Sequence, residues 1–513
     1  MRSSGDKNKI LLPEYVLRTH PQKPYDSTAS TKSNKNATIN SISERKRHLL
    51  ARTKDDIISI RSNSAPLRRA SLLYPFRGFP HIPYLPSSRL PEPTAEPEAK
   101  MSSPHVAIIG AGPAGFVLAL TLLQKGIKCS IYESRSSRDE SSIKYAAISL
   151  QPNGLRVLDQ LGVYGELRKR GYSIEAVAVK DLESGKTIQE GEGIGEAYGY
   201  QRLRIYRDQL AQVLNAAVAE FGVSVHFGHR LSGITAETDE DVSFGFANGK
   251  EGQADLLVGA DGIHSRVRGH ITNAQPRYSG LVGVGAEVSR SSVEFVESED
   301  IVPPVTIKRG KAVVNLVPQN VDASRLFVGV GRLIPEKSSE EWAAINVDKQ
   351  NIKRICLEGV ETWSATVQSA LRNVEDDTAY IWPIYTMPRL ESWTSPKERV
   401  AIIGDAAHAV SPITGQGANQ AIKDAFLLGR LVAQAPRGPK IPQAVKLWRQ
   451  NRMQRVHEVV DRLMGDSDSN KPAVEIKSRI GAEVGKDGAR PDAWLYSVDN
   501  GKESEALAAQ LAG

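Results

Sequence analysis

The chain has 513 residues, 40% of them apolar, which suits two or three folded units, or one large one with tails. Its two cysteines, Cys129 and Cys356, exclude a disulfide framework and fit a reducing, cytoplasmic setting. No apolar run reaches the ~18 residues that span a bilayer, and no signal peptide is visible. The net charge of +7 belongs to one end: residues 1–100 hold 18 Lys and Arg against 9 Asp and Glu, which leaves the rest at −2.

That basic leader, residues 1–100, is rich in Ser, Asn, Lys and Arg and ends in a Pro/Glu run. It has too little apolar surface to offset the entropy of ordering, so it reads as disordered. Three readings of it stay open. It is a targeting segment (Asp6 and Glu14 spoil the acid-poor pattern), a basic interaction arm, or an extension dispensable for chemistry. A variant of the last reading is a mis-assigned start, with Met101 the true one. Nucleic-acid binding is expected nowhere in the near-neutral remainder.

The organising stretch is His105 to Glu133, HVAIIGAGPAGFVLALTLLQKGIKCSIYE. A buried strand, Val106 to Ile109, meets Gly110, Gly112 and Gly115 in a GxGxxG spacing. An apolar helix starts at Pro113, and a second strand ends on Glu133. Strand, glycines, helix and acid together are the dinucleotide fingerprint. Gly110 permits the tight turn, Gly112 the approach of a pyrophosphate, and Gly115 close packing of helix on strand. The helix N-terminus offers free N–H groups to phosphate, and Glu133 can accept from a ribose.

Further on, Pro152 and Asn153 open a helix closed by Gly162. Arg202 to Leu210, RLRIYRDQL, leads into another. Strands follow at Val223 to Phe227, Asp241 to Phe246 and Asp255 to Val258, the last running into GADGIHSRVR. From 278 to 390 the texture changes to β-like runs, VVNLV, LFVGVG and YIWPIY, with a broken helix from about Ser338 to Arg372. This predicts an antiparallel sheet. A strand then ends at Gly404-Asp405, a loop carries Pro412, Gly415 and Gly417, and helical patterning continues to about Met464. Residues 465–513 are polar with weak periodicity, and little function is expected there.

Asp261 and Asp405 each follow an apolar strand, at the carboxyl edge of a sheet where ligands bind. Asp405 can accept from hydroxyls of a ribityl chain. The Gly417-Ala418 turn opens a helix whose N–H groups stabilise negative charge. GAGPAGFVLAL…YE, GADGIHSRVR and GDAAHAVSPITGQGANQAIKDA, taken together and in this order, resemble the single-component FAD-dependent aromatic hydroxylases of the para-hydroxybenzoate and salicylate hydroxylase type. The likeness runs from about 105 to 460. The segment PNGLRVLDQLGVYGELRKRGY resembles most the fungal secondary-metabolism members.

The resemblance implies an α/β fold: a Rossmann-like FAD-binding domain (105–277 and 391–464), an interleaved antiparallel-sheet substrate domain (278–390), a C-terminal helix and a polar tail (465–513). It implies that Gly110, Gly112, Gly115 and Glu133 hold the adenosine half of FAD and that Ala147 touches the cofactor. Arg207 would sit by its phosphates, Asp261 would help hold it, Asp405 would take the ribityl chain, and Gly417 and Ala418 the isoalloxazine, with Pro412 against the flavin. Ala146-Ala147 stands where relatives often carry two glycines. The implied activity is hydroxylation of a small aromatic or polyketide-like substrate, using O2 and NADPH or NADH, through a flavin C4a-hydroperoxide.

No catalytic base is assigned, and His264 and His408 are left open. Tyr278, Tyr380, Trp382 and Tyr385 are candidates for either a substrate pocket or the core. An epoxidase or Baeyer–Villiger-type oxygenase is the rival chemistry. A flavin-binding regulator without turnover is the rival of another class. No metal site is expected.

Overall fold

The structure is a computed structural model that describes residues 103–137, 144–435, 440–464, 490 and 492–512. The leader, and every expectation placed on it, lies outside the described residues.

The chain opens with β1 (His105–Ile109), α1 (Pro113–Leu123) and β2 (Lys128–Tyr132). After β3 (Ala147–Leu150) and α2 (Pro152–Gln160) come three short strands: β4 (Tyr172–Ile174), β5 (Val177–Asp181) and β6 (Thr187–Glu190). Next are β7 (Arg202–Tyr206), α3 (Arg207–Ala219) and β8 (Val225–His226). The antiparallel strands β9 (Leu231–Glu237), β10 (Val242–Phe246) and β11 (Glu251–Ala254) lead into β12 (Leu256–Gly259).

The second half begins with β13 (Arg277–Ser289), β14 (Val305–Arg309), β15 (Ala312–Pro318) and β16 (Arg325–Leu333). Helices α4 (Ser339–Val347), α5 (Lys349–Leu357) and α6 (Ala365–Arg372) precede β17 (Glu375–Thr386) and β18 (Val400–Ile402). Two long helices, α7 (Gly417–Val432) and α8 (Lys440–Met464), and a last one, α9 (Asn500–Ala512), complete the described chain.

Five strands form a parallel sheet in the order β18-β12-β1-β2-β8. Helices cover a parallel sheet on both faces, so its strands carry continuous apolar runs. Val106, Ala107 and Ile108 in β1 and Leu256, Leu257 and Val258 in β12 have no exposed surface. Helices α1 and α7 cross closely: a Cβ on Gly429 would lie 2.8 Å from Thr121 Cγ2.

A seven-stranded sheet, β17-β13-β16-β15-β14-β5-β6, is antiparallel except where β14 runs parallel to β5. One face packs against α4–α6 in a second core that includes Val284, Val328, Ile352, Val367 and Ile381. The expected break-up of residues 338–372 is real: three helices, the first opened by a capping box in which Ser338 and Glu341 bond each other's backbone N–H.

Two features of this sheet go beyond the sequence reading. It recruits β5 and β6 from upstream of residue 278. Its longest strand, β13, next to the edge strand β17, has 13 residues yet carries Gly280, Gly283 and Gly285, residues that weaken any strand pattern. A three-stranded sheet, β3-β7-β4, carries Ala147 on its first strand.

Cys129 and Cys356 are buried and free. Burial pushes their thiols up, to about 12 and about 11, so both are inert at neutral pH. Among the described residues no helix is long and apolar enough to cross a membrane, and no group of side chains could hold a metal ion.

The tail reading needs a correction. Tyr496, expected to lie in a polar segment, has no exposed surface, and Leu495 has 1%. Arg156 of α2 donates from Nη1 to the carbonyls of Tyr496 and Val498 at 2.7 and 2.9 Å. This end of the chain is held onto the body by the buried Leu495 and Tyr496, by the Tyr198 hydroxyl donating to Asp492 at 2.6 Å, and by Leu507, Ala508 and Leu511 of α9 packed on the main core. Such contacts leave almost no periodic trace in the sequence.

Candidate functional site: a cofactor cradle

The glycine loop is built against the end of β12. Gly110 has φ +111°, and a Cβ there would come within 2.3 Å of the Ala260 carbonyl oxygen. On Gly115 it would come within 2.0 Å of the Gly110 oxygen. Both positions therefore exclude a side chain. Gly112 differs: its φ is −87° and a Cβ would meet nothing within 4 Å. It borders open space at the N-terminus of α1, which no side chain caps. A helix N-terminus with bare N–H groups beside an open glycine is a place for an anion.

Glu133 ends β2 directly beside this loop. Its Oε2 accepts from the Ala111 N–H at 3.0 Å, and its Oε1 accepts from the Arg135 N–H at 3.0 Å and the Ser134 hydroxyl at 3.2 Å. Burial alone would raise its pKa. The hydrogen bonds from Arg135 and Ala111 outweigh burial and hold the carboxyl below its ordinary value. It is therefore an ionised acceptor, 7% exposed, at the edge of the loop.

Asp261 follows β12. Its Oδ2 accepts from the Arg266 and Val267 N–H groups at 2.8 and 3.2 Å, while Oδ1 is buried without a partner. Burial raises its pKa. Arg268, which the sequence reading did not single out, donates to the carbonyls of Ile263 at 2.7 Å and Ala406 at 3.0 Å. It thereby ties the Asp261 turn to the Asp405 turn.

Asp405 is exposed and begins a one-turn helix, Asp405–His408, after Gly404. A Cβ on Gly404 would lie 2.9 Å from Ala421 Cβ and 3.7 Å from Ala114 Cβ, so this turn touches both α7 and α1. On Gly417 it would lie 3.9 Å from Asp405 Oδ1. Asp405 thus stands at the uncapped N-terminus of α7, where Gly417 and Ala418 present their N–H groups.

The loop before α7 is fixed by buried amides. Asn419 accepts from the Gln151 N–H at 2.8 Å and donates to the Gly415 carbonyl at 2.9 Å. Gln416 accepts from Asn153 at 2.9 Å and leaves its Nε2 buried and unpartnered. Pro412 is exposed on this loop. Ala147 pairs with Tyr206 across β3 and β7, and the next residue, Arg207, donates its N–H to the Ala146 carbonyl at 2.9 Å. The printed contacts bring the Gly404-Asp405 turn against both Ala114 of α1 and Ala421 of α7, and join the end of β3 to α7 through Gln151 and Asn419.

Behind the Gly404-Asp405 turn sits a charged cluster that the sequence reading missed. Asp424 Oδ2 meets His408 Nε2 at 2.5 Å and accepts from the Gly404 N–H at 3.0 Å; Oδ1 accepts from Arg452 Nε at 2.9 Å. Burial raises the Asp424 pKa, but His408 and Arg452 outweigh it and bring the value down to about 2. His408 stacks on Trp393 at 4.9 Å and is 6% exposed, so it serves as packing and anchor. His264 is exposed, near the Tyr385 ring. The signal available in the sequence was the Asp424 spacing, 16 residues after His408 on the inner side of α7.

Lys423 adjoins this cluster and is 2% exposed. Burial, then Arg452, pull its pKa from 10.5 down to about 7. The folded state disfavours the charged form, so below pH 7 the full cost of burying the charge is present. Between pH 7 and 10.5 the unfolded chain holds the extra proton, and the cost shrinks as pH rises. Lys423→Met is accordingly expected to stabilise the protein more at pH 6 than at pH 9, by about 2–3 kcal/mol. Urea midpoints at the two pH values check this; equal gains would reject it.

The comparisons with known proteins agree with this geometry. A family described as "FAD binding domain" matches residues 104–463. The chain belongs to that FAD-binding family. A 3-amino-4-hydroxybenzoate 2-monooxygenase, PtmB3 from Streptomyces platensis, is 29% identical over 367 residues, covering 69% of this chain and 86% of its own. A 6-hydroxynicotinate 3-monooxygenase from Bordetella bronchiseptica is 26% identical over 360 residues, with 69% and 89% covered. Among solved structures, an HpxO variant from Klebsiella pneumoniae complexed with FAD superposes with a TM-score of 0.59 at 26% identity, covering 70% of this chain and 88% of that one.

The protein is an FAD-dependent monooxygenase, an oxidoreductase of α/β fold. The open side of Gly112, the unpartnered Asp261 Oδ1 and Gln416 Nε2, and the two uncapped helix starts fit an FAD lying along this surface.

Proposed function

We propose that this monooxygenase hydroxylates a small aromatic ring with O2, taking electrons from NADPH or NADH. Bound FAD supplies the hydride acceptor and the site where oxygen is activated. The chain's own part is to bind, orient and exclude water. Gly110, Gly112 and Gly115 shape the pyrophosphate seat, and Glu133 accepts from the adenosine ribose. Arg207 and Ala147 flank the middle of the cofactor, and Asp261 closes its near side. Asp405 takes the ribityl hydroxyls, while the Gly417 and Ala418 N–H groups favour negative charge on the isoalloxazine. Residues 105–277 and 391–464 serve the cofactor, and 278–390, with β5 and β6, the substrate. No side chain is assigned as base.

The observation that carries the reading is the aromatic layer on the seven-stranded sheet, where Tyr380 and Trp382 stack at 5.1 Å beside Tyr145, Ala146 and Phe327. It adjoins Ala146-Ala147 and so stands beside the cofactor surface. The test is purification with FAD, then screening phenols and hydroxylated aromatic acids for NAD(P)H oxidation with 18O2. Ring-hydroxylated product carrying one labelled oxygen is the expected result. An epoxide or lactone product would replace hydroxylation by the rival oxygenations. Bound FAD with no oxygen consumption over the whole panel would make the protein a regulator instead.

A further inference from the structure

The sheet face turned away from α4–α6 is made of two residue types. Along β13, Val282, Val284, Ala286 and Val288 pack into the helical core, which leaves Gly283, Gly285 and Glu287 on the other face. In β16 and β17 the same alternation leaves Phe327, Gly329, Tyr380 and Trp382 there. The glycines make room for the rings. A Cβ on Gly283 would lie 2.2 Å from the Trp382 ring, and on Gly285 and on Gly329 2.4 Å from the Phe327 ring. Two aromatic side chains therefore lie flat on bare backbone, a floor suited to another flat ring.

Strand β7 faces this floor. Tyr206 donates its hydroxyl to Glu287 Oε1 at 2.8 Å, and the Arg204 guanidinium carbon lies 4.8 Å from the Phe327 ring centroid. Arg204 is held by its inner edge: Nε donates to Gln319 Oε1 at 2.7 Å, and Gln319 donates from Nε2 to the Tyr145 carbonyl at 2.9 Å and to Glu287 at 3.3 Å. Glu287, 2% exposed, is neutralised by Arg325 at 3.3 Å, which also forks onto Glu375.

Among the described residues Arg204 has no carboxylate within ion-pair distance, and its Nη1 and Nη2 donate to nothing. The side chain is mostly buried, and burial lowers its pKa, so an anion reaching that edge would offset the cost of burying the charge. A mostly buried guanidinium, pinned on one edge and free on the other, beside an aromatic floor, has the geometry of a two-point clamp for a planar oxyanion.

The geometry points to Arg204 as the residue that selects a carboxylate on the aromatic substrate, forming a forked pair with it while the ring lies against Trp382 and Tyr380. This rests on the aromatic-oxygenation reading above and names the class within it: aromatic acids rather than neutral phenols. Arg204 is not needed to hold the fold's core charges, because Glu287 already has Arg325.

The test uses the full-length FAD-loaded protein and follows the flavin absorbance spectrum during titration with 4-hydroxybenzoate and salicylate, and with their neutral amides. The acids are expected to bind at least about 10-fold tighter than the amides. Arg204→Met is expected to weaken acid binding by about 30-fold, leave amide binding and flavin content unchanged, and keep the urea midpoint within error. Arg204→Lys, which restores the charge without the fork, should recover part of the loss and keeps the test alive if the methionine variant does not fold.

Equal binding of acids and amides, an unchanged acid affinity in Arg204→Met, or no binding of either acid to the wild type would each overturn the assignment. Coupled hydroxylation of a neutral phenol with no preference for acids would remove the clamp yet leave aromatic oxygenation standing. Flavin that never turns over any ring compound would remove both.

Discussion

Asp424→Ala is expected to cost about 3–5 kcal/mol of folding stability, read as a fall in the urea midpoint, and to strip flavin from whatever folds. Three groups lose their partner at once: the Arg452 guanidinium, which is fully buried, the His408 ring and the Gly404 N–H. Removing one member of a buried pair leaves the other charge uncompensated. The Gly404 bond matters for chemistry as well as stability, since the next residue is Asp405. Asp424→Asn retains an acceptor for the Gly404 N–H and should lose less flavin than stability. If the alanine variant kept its urea midpoint within about 1 kcal/mol, the cluster would not be the anchor described here. Because the Asp424 pKa lies near 2, its contribution is present above the unfolded value of ~3.9 and is lost only as pH falls through about 2.

Gly112→Val is expected to have the opposite profile. Its φ of −87° suits any residue and a Cβ there meets nothing, so the urea midpoint should move by less than about 1 kcal/mol. The branched side chain fills the seat a pyrophosphate would take, and the purified protein should be colourless, with FAD affinity down at least about 100-fold. Gly110→Val makes the contrast: its Cβ would strike the Ala260 carbonyl, and φ is +111°, so that variant should lose fold and flavin together. Yellow Gly112→Val protein with wild-type FAD affinity would remove the glycine loop from the proposed seat.

The parts of this molecule that were readable in advance are those where one residue type serves one local need. The GxGxxG loop required a strand before it and a helix after it, and both were in the string; the same holds for the strand ends at Asp261 and Asp405. The helix start near Ser338 and the closing Gly162, with φ +79°, belong with them.

What escaped depends on pairing across long distances. Strand β13 hid because its glycines serve Trp382 and Phe327, some 40–100 positions away, and not β13 itself. Glu287, Arg204 and Gln319 look like ordinary surface polar residues until β7 is laid over the sheet. Asp424 and Arg452 sit 28 residues apart on two helices, and nothing in either helix's own pattern announces a buried ion pair. The packing of Tyr496 under α2 was invisible for the same reason.

The Asp405 turn touches α1 and α7, and Arg268 fastens it to the turn after β12. The cradle is thus closed by a helix that begins at residue 417, while its first strand begins at 105. During translation the nucleotide half of the seat leaves the ribosome some 300 residues ahead of the element that completes it. Flavin capture therefore waits on nearly complete synthesis, and a nascent polypeptide stalled before α7 would be a poor trap for FAD. A ribosome display series of increasing length should show flavin retention switching on as α7 clears the exit tunnel.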